Sequence, residues 1–322
     1  MKWTSSQSRR WFSRFAWGVL LYNIPVILWG AYVRVSFSGD GCGANWPTCN
    51  GQFLPQKMAA PMAIEFTHRL MTSGDIAAVL ALVLWAFLAF PKNDAVRRYA
   101  VLSAIFLFIE ALLGAGLVLF RLVAKNQSAG RVWYLGAHLT NTMLLLAALS
   151  ITAWLAQTGV KRLHLRQAPG RLLICAVITV FVSITGTITA LGDTLFPAAS
   201  LGAGMQQDFT ATSSLLLRLR VVHPLIAVAG ALYLIWTAAA LLQRPNPSTG
   251  FLKSGAAVIA ATVVQVAAGM VNLVLLAPLA MQLIHLFLAD LVWISVVLLT
   301  VETAASVAAK ANVEDYCPAA SV

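Results

Sequence analysis

Charge is scarce in this chain. Only 10% of its 322 residues are Asp, Glu, Lys or Arg, against about 25% in a soluble domain. Hydrophobic residues reach 60%. Together these exclude a soluble globular enzyme and a disordered chain. Cysteine is sparse as well: four residues are too few for a disulfide scaffold. Acidic residues are outnumbered, 11 against 22 basic ones. No nucleic-acid motif accompanies the net charge of +11, so no nucleic-acid partner is expected. In a membrane chain the same surplus follows from Lys and Arg retained on cytoplasmic loops.

Long apolar runs are what the sequence does have. A bilayer core takes about 20 apolar residues per helix. Eight stretches qualify: 15–34, 66–90, 98–120, 133–156, 171–191, 216–242, 254–276 and 281–303. Lys2, Arg9, Arg10 and Arg14 precede the first. That run is too long for a signal peptide and lacks a small-residue cleavage site, so it reads as an uncleaved helix. With the N-terminus inside, 14 of the basic residues fall on inner segments and eight on the outer side. This predicts N-in and C-in, with membrane lipid around the chain. No Arg/Ser-rich amphipathic leader is seen, which favours a prokaryotic plasma (inner) membrane.

The two halves echo each other. Ile109–Gly114 resembles Val264–Gly269 at a spacing of 155 residues, Gly30 matches Gly186 at 156, and His68 matches His223 at 155. His138 matches His285 at 147, the difference falling in a longer first-half loop around Ala124–Arg131. Four helices per half keep the repeats in one orientation. The expected fold is therefore all-α and integral to the membrane: two tandem four-helix bundles related by a pseudo-two-fold along the membrane normal. The halves are 1–156 and 171–322, joined by a basic inner linker at 157–170.

Four of the five histidines, His68, His138, His223 and His285, begin even-numbered spans and so share one depth near the outer surface. Ionisable residues inside spans are costly and point to function. Interhelical hydrogen bonding is the bland alternative, but it does not require a two-fold set. Zinc would need further ligands. Two histidines on different helices of one bundle suit the axial positions of a haem, giving two haem sites. Arg34, Arg69, Arg121, Arg131, Arg218 and Arg220 gather at the same outer level. They could pair with haem propionates or simply snorkel. His164 falls in the basic linker and reads as solvated; Cys175 reads as apolar filler, and Cys317 as a reduced thiol of the inner tail.

The halves differ where chemistry is expected. Glu65 lies three residues before His68, whereas Arg220 holds that place before His223. A carboxylate beside a haem edge can take a proton or stabilise developing positive charge. Glu110, matched by Gln265, is a second acid in a span, where a buried hydrogen-bonding role is the simpler reading. The first outer loop carries Cys42 and Cys49 with six residues between them. They can form a disulfide there, as a staple or as a redox pair.

With Gly39-Asp40-Gly41-Cys42, then Trp46-Pro47-Thr48-Cys49-Asn50-Gly51, then Glu65-Phe66-Thr67-His68-Arg69, the sequence resembles the haem A synthase family over nearly its whole length. The resemblance implies oxidation of the ring methyl of haem O to the formyl group of haem A, for a terminal oxidase. It implies that His68 and His138 hold the substrate haem, and that His223 and His285 hold a haem b cofactor. It places the catalytic glutamate at Glu65 and the loop disulfide at Cys42 and Cys49. A haem O synthase, cytochrome oxidase and a second copy of the chain are the partners such a role suggests. The sequence departs from some relatives in lacking a second cysteine pair at 192–215, and in Pro224 after His223. A di-haem b electron-transfer protein of the b561 kind is the alternative; it would need neither Glu65 nor the asymmetry between halves. A repeat-built transporter would instead call for helices broken near the midplane.

Overall fold

The computed structural model describes residues 6–210, 215–245 and 247–316; for Ser6, Leu215 and 308–316 it describes the backbone alone. Lys2 and Cys317 lie outside the described residues. The regular elements are α1 (Ser6–Val35), α2 (Ala60–Ala89), α3 (Ala95–Leu119), α4 (Ala129–Thr158), α5 (Gly170–Leu195), α6 (Leu201–Phe209), α7 (Leu215–Leu242), α8 (Thr249–Val274) and α9 (Leu279–Tyr316). A 3-10 turn at Leu165–Gln167 sits in the linker, where His164 is exposed. All but α6 are long and apolar enough to cross a membrane. The chain is an all-helical, multi-pass membrane protein.

The helices start earlier than the apolar runs because caps, not hydropathy, set their ends. Ser128 accepts a hydrogen bond from the Arg131 N–H, Asp94 from Val96 and Ser248 from Phe251. Each satisfies an amide that the first turn leaves free. Pro61 stands in the first turn of α2, where its missing N–H costs nothing. Gly159 ends α4 in the left-handed region, at φ 84°. The stretch 192–215, expected to be loop, contains α6, capped by Ser200.

α1, α2, α3 and α4 pack on one another, as do α5, α7, α8 and α9; α4 also meets α5 and α9. α4 is the most enclosed span, with 78% of its apolar window buried against 50% or less for every other span. It carries polar side chains on its buried length, such as Thr152. In hydrocarbon a buried hydroxyl must find an internal acceptor. Thr152 donates back to the Ala148 carbonyl at 2.8 Å. Two indoles tie α4 to α9: Trp293 Nε1 donates to the Met143 carbonyl at 2.6 Å, and Trp154 Nε1 donates to Glu302 Oε1 at 2.7 Å. Arg9 closes the far end of α4 by donating to the Leu155 and Ala156 carbonyls, both at 2.9 Å. Cys175 packs in the apolar cluster of α5, α7, α8 and α9.

Glu302→Ala leaves the buried Trp154 N–H without an acceptor. It should lower stability by about 1–3 kcal/mol, read as a lower unfolding midpoint in detergent, while Glu302→Gln keeps most of it. Equal midpoints for Ala and wild type would show that this contact holds nothing.

Candidate functional site

The four histidines enter from α2, α4, α7 and α9, each within the first third of its helix. Each ring lies against a glycine of a neighbouring helix. A Cβ on Gly30 would come 3.0 Å from His68 Cε1. One on Gly186 would come 2.9 Å from His223 Cε1, and one on Gly269 2.9 Å from His285 Cε1. At Gly114 the contact, to His138 Nε2, is an ordinary 3.5 Å. The four glycines that anchor the sequence repeat are thus the four that meet the histidines. His68 lies within electrostatic range of His138, and His223 within range of His285.

Among the described residues no three His, Cys, Asp or Glu side chains gather as a metal cluster. The Nδ1 atoms of His68 and His285 are buried and have no hydrogen-bond partner. His223 Nδ1 meets the Thr185 hydroxyl at 3.0 Å, and His138 Nδ1 meets Glu110 Oε1 at 2.7 Å. A buried nitrogen without a partner is costly. Paired imidazoles with spare nitrogens, packed against glycines of neighbouring helices, fit a haem iron as ligands. His68 with His138, and His223 with His285, would each hold one.

Next to His68 the loop between α1 and α2 is fastened to α2. Cys42 and Cys49 are disulfide-bonded. Glu65 is 3% exposed, accepts from the Cys42 backbone N–H at 2.8 Å, and pairs with Arg69 Nη2 at 2.5 Å. Arg69 Nη1 donates to the Asn45 and Thr48 carbonyls, each at 2.8 Å. Glu65 therefore belongs at once to the disulfide loop, to the guanidinium that clamps it and to the helix of His68. Gly41 lets the loop sit down on α2, since a Cβ there would be 2.5 Å from the Pro61 backbone.

The other arginines are differently occupied. Arg220 pairs with Asp193 at 2.9 Å and Asp208 at 3.6 Å, and donates to the Gly192 carbonyl at 2.7 Å and to that of Phe196. It pins α6 and the end of α5 to α7. Arg131 is buried and donates to the Ala124 and Asn126 carbonyls at 2.6 and 2.8 Å, closing the longer loop of the first half. Arg34 is half-buried beside Arg131 and Asp193, with one long bond of 3.5 Å to the Thr187 carbonyl. Arg121 and Arg218 are exposed.

Two buried acids escaped the sequence reading. Asp75, two turns below His68, accepts from Asn23 Nδ2 at 2.9 Å. Asp290, five residues beyond His285, is buried with Oδ2 unpartnered. Both stand inside expected spans, where any carboxyl is itself a signal. The Asp193 and Asp208 partners of Arg220 could not be paired with it from sequence.

Fold and site define a class: a multi-pass membrane protein with two histidine pairs and a disulfide loop latched over the first. The chain belongs to the cytochrome oxidase assembly protein family, whose model matches residues 13–297. It is 44% identical over 288 residues, 88% of its length, to a Thermus thermophilus protein named Protoheme IX farnesyltransferase, 47% of which is covered. It is 34% identical over 107 residues to a Heme A synthase of an Exiguobacterium species, covering 33% of this chain and 36% of that one. It is 35% identical over 114 residues to a Heme A synthase of Lysinibacillus sphaericus, covering 35% and 37%. The chain thus spans less than half the length of these curated relatives, and more than half of the Thermus protein lies outside the match.

Gly30→Ala, Gly186→Ala and Gly269→Ala should each displace a histidine and lower the haem bound per chain by about tenfold or more, the range for supports of a metal ligand. Gly114→Ala, with ordinary contact distance, should retain haem. Unchanged haem-to-protein ratios in the first three would contradict this role for the glycines.

Proposed function

We propose that this chain is a haem A synthase, oxidising the ring methyl of haem O to the formyl group of haem A for a terminal oxidase. The observation that carries the reading is the position of Glu65. It joins the disulfide loop to the His68 helix, and the second histidine pair has an arginine in its place. Two relatives named Heme A synthase support it. So does a relative named for farnesyl transfer to protoheme IX, since farnesylated haem is the substrate class required.

On this reading His68 and His138 hold haem O, and His223 and His285 hold haem b. Haem b, when bound, supplies one-electron acceptance. Converting methyl to formyl removes four electrons, which leave one at a time for an external electron acceptor, and draws its oxygen from water or dioxygen: two successive two-electron hydroxylations, then loss of one water from the geminal diol. Glu65 accepts a proton from the reacting methyl or stabilises the positive charge that develops there. Arg69 holds that carboxyl in place and, through the Asn45 and Thr48 carbonyls, keeps the loop over it. The Cys42–Cys49 bond orders the loop or relays electrons. Five arginines, Arg34, Arg69, Arg131, Arg218 and Arg220, stand at the propionate level. Arg69, Arg131 and Arg220 already bind loop carbonyls or carboxylates closely, whereas Arg34 makes one long bond of 3.5 Å, which favours Arg34 over those three.

The reading also takes 1–156 and 171–322 as pseudo-two-fold related halves. It places the chain N-in and C-in in a prokaryotic plasma membrane, working with a haem O synthase and cytochrome oxidase and able to self-associate.

Pigment extracted after co-expression with a haem O source should contain haem A and haem b. Glu65→Gln should keep both haems but lose conversion by about 100-fold or more. Full conversion by Glu65→Gln with both haems bound would remove Glu65 from catalysis. Haem b alone, two per chain, would instead mark a b561-type electron carrier.

A further inference from the structure

The two histidine pairs differ in what stands behind their second ligand. On α3, Glu110 lies one turn before Gly114. Its Oε1 is 2.7 Å from His138 Nδ1 and also takes the Thr142 hydroxyl. Its Oε2 takes Asn141 Nδ2 at 2.6 Å. The single Thr142 proton is shared with the His138 carbonyl at 2.9 Å, so as a carboxylate Glu110 accepts chiefly from His138 Nδ1 and Asn141 Nδ2. This fixes His138 with its proton on Nδ1 and a bare Nε2, the atom nearest Gly114.

On α8 the matching residue is Gln265, one turn before Gly269. Its amide nitrogen stands 3.4 Å from His285 Nε2, and His285 Nδ1 has no partner. The second pair therefore lacks an acidic acceptor behind its ligand.

A carboxylate receiving the far N–H of a ligating imidazole makes that ligand more basic. A more basic ligand favours the ferric over the ferrous ion, and hydrogen bonding around the ligands is a recognised lever on haem potential. We propose that Glu110 is a positioning residue that makes His138 the strongest donor of the four and holds the first-half iron at a lower reduction potential than the second. This rests on reading both histidine pairs as haem ligands. It also gives Glu110 and Gln265 a shared logic: the exchange of acid for amide sets a donor-to-acceptor order from the first half to the second.

The test is a stepwise optical redox titration of the purified full-length chain with haem in both bundles, comparing wild type, Glu110→Gln and Gln265→Glu. Glu110→Gln should raise one midpoint by a tenfold change in the ferrous-to-ferric ratio, 59 mV for one electron. Gln265→Glu should lower the other by a similar factor. Two bound haems with midpoints unmoved in both variants overturn the proposal and leave the proposed function standing. Should Glu110→Gln bind no first-half haem, Gln265→Glu decides: a lowered midpoint supports the proposal and an unmoved one overturns it. A wild-type chain that binds no haem overturns the ligand reading and this inference with it.

Discussion

How closely a helix backbone can approach an imidazole governs the arrangement of this site. In hydrocarbon a ring nitrogen cannot turn to water, so every histidine in a span needs a place and a partner supplied by the protein. Four glycines supply the place, three of them with so little room that a methyl group would displace the ring. The partners differ among the four: a carboxyl for His138, a hydroxyl for His223, and none for the Nδ1 atoms of His68 and His285. Close backbone approach with unspent nitrogens is the physical basis for reading these residues as ligands rather than as ties between helices.

The chemistry-bearing side chains are held by the same logic of enforced partnership. Glu65 and Arg69 would be expensive alone in a membrane. Paired, they satisfy the Cys42 amide and two loop carbonyls, and so fix the disulfide loop to the helix of a candidate ligand. Arg220 performs a comparable task beside His223, through Asp193 and Asp208. The surroundings of His68 and His223 thus differ in what they do with buried charge.

Much of this was legible in the sequence, and for identifiable reasons. Eight spans follow from hydropathy, the histidines from the cost of polar groups within them, and Glu65 from its place three residues before His68, where Arg220 stands before His223. The repeat pointed to Gly30, Gly114, Gly186 and Gly269, although their contact with the rings is a tertiary fact that spacing alone does not give. α6 was missed because a nine-residue helix in a polar stretch has no apolar period long enough to show. The pairing of Arg220 with Asp193 and Asp208 brings together residues up to 27 positions apart through a turn of the chain. Asp75 and Asp290 were readable as acids in spans, but their burial against other helices was not.

The central claim is a division of labour: the first histidine pair holds the haem that is changed and the second the haem that is kept. It is tested most directly by the pigments retained in His68→Ala and His223→Ala, each co-expressed with a haem O source. The account predicts that His68→Ala keeps haem b and lacks haem O and haem A, while His223→Ala loses haem b. Retention of haem O or haem A by His68→Ala, with haem b lost instead, would contradict it.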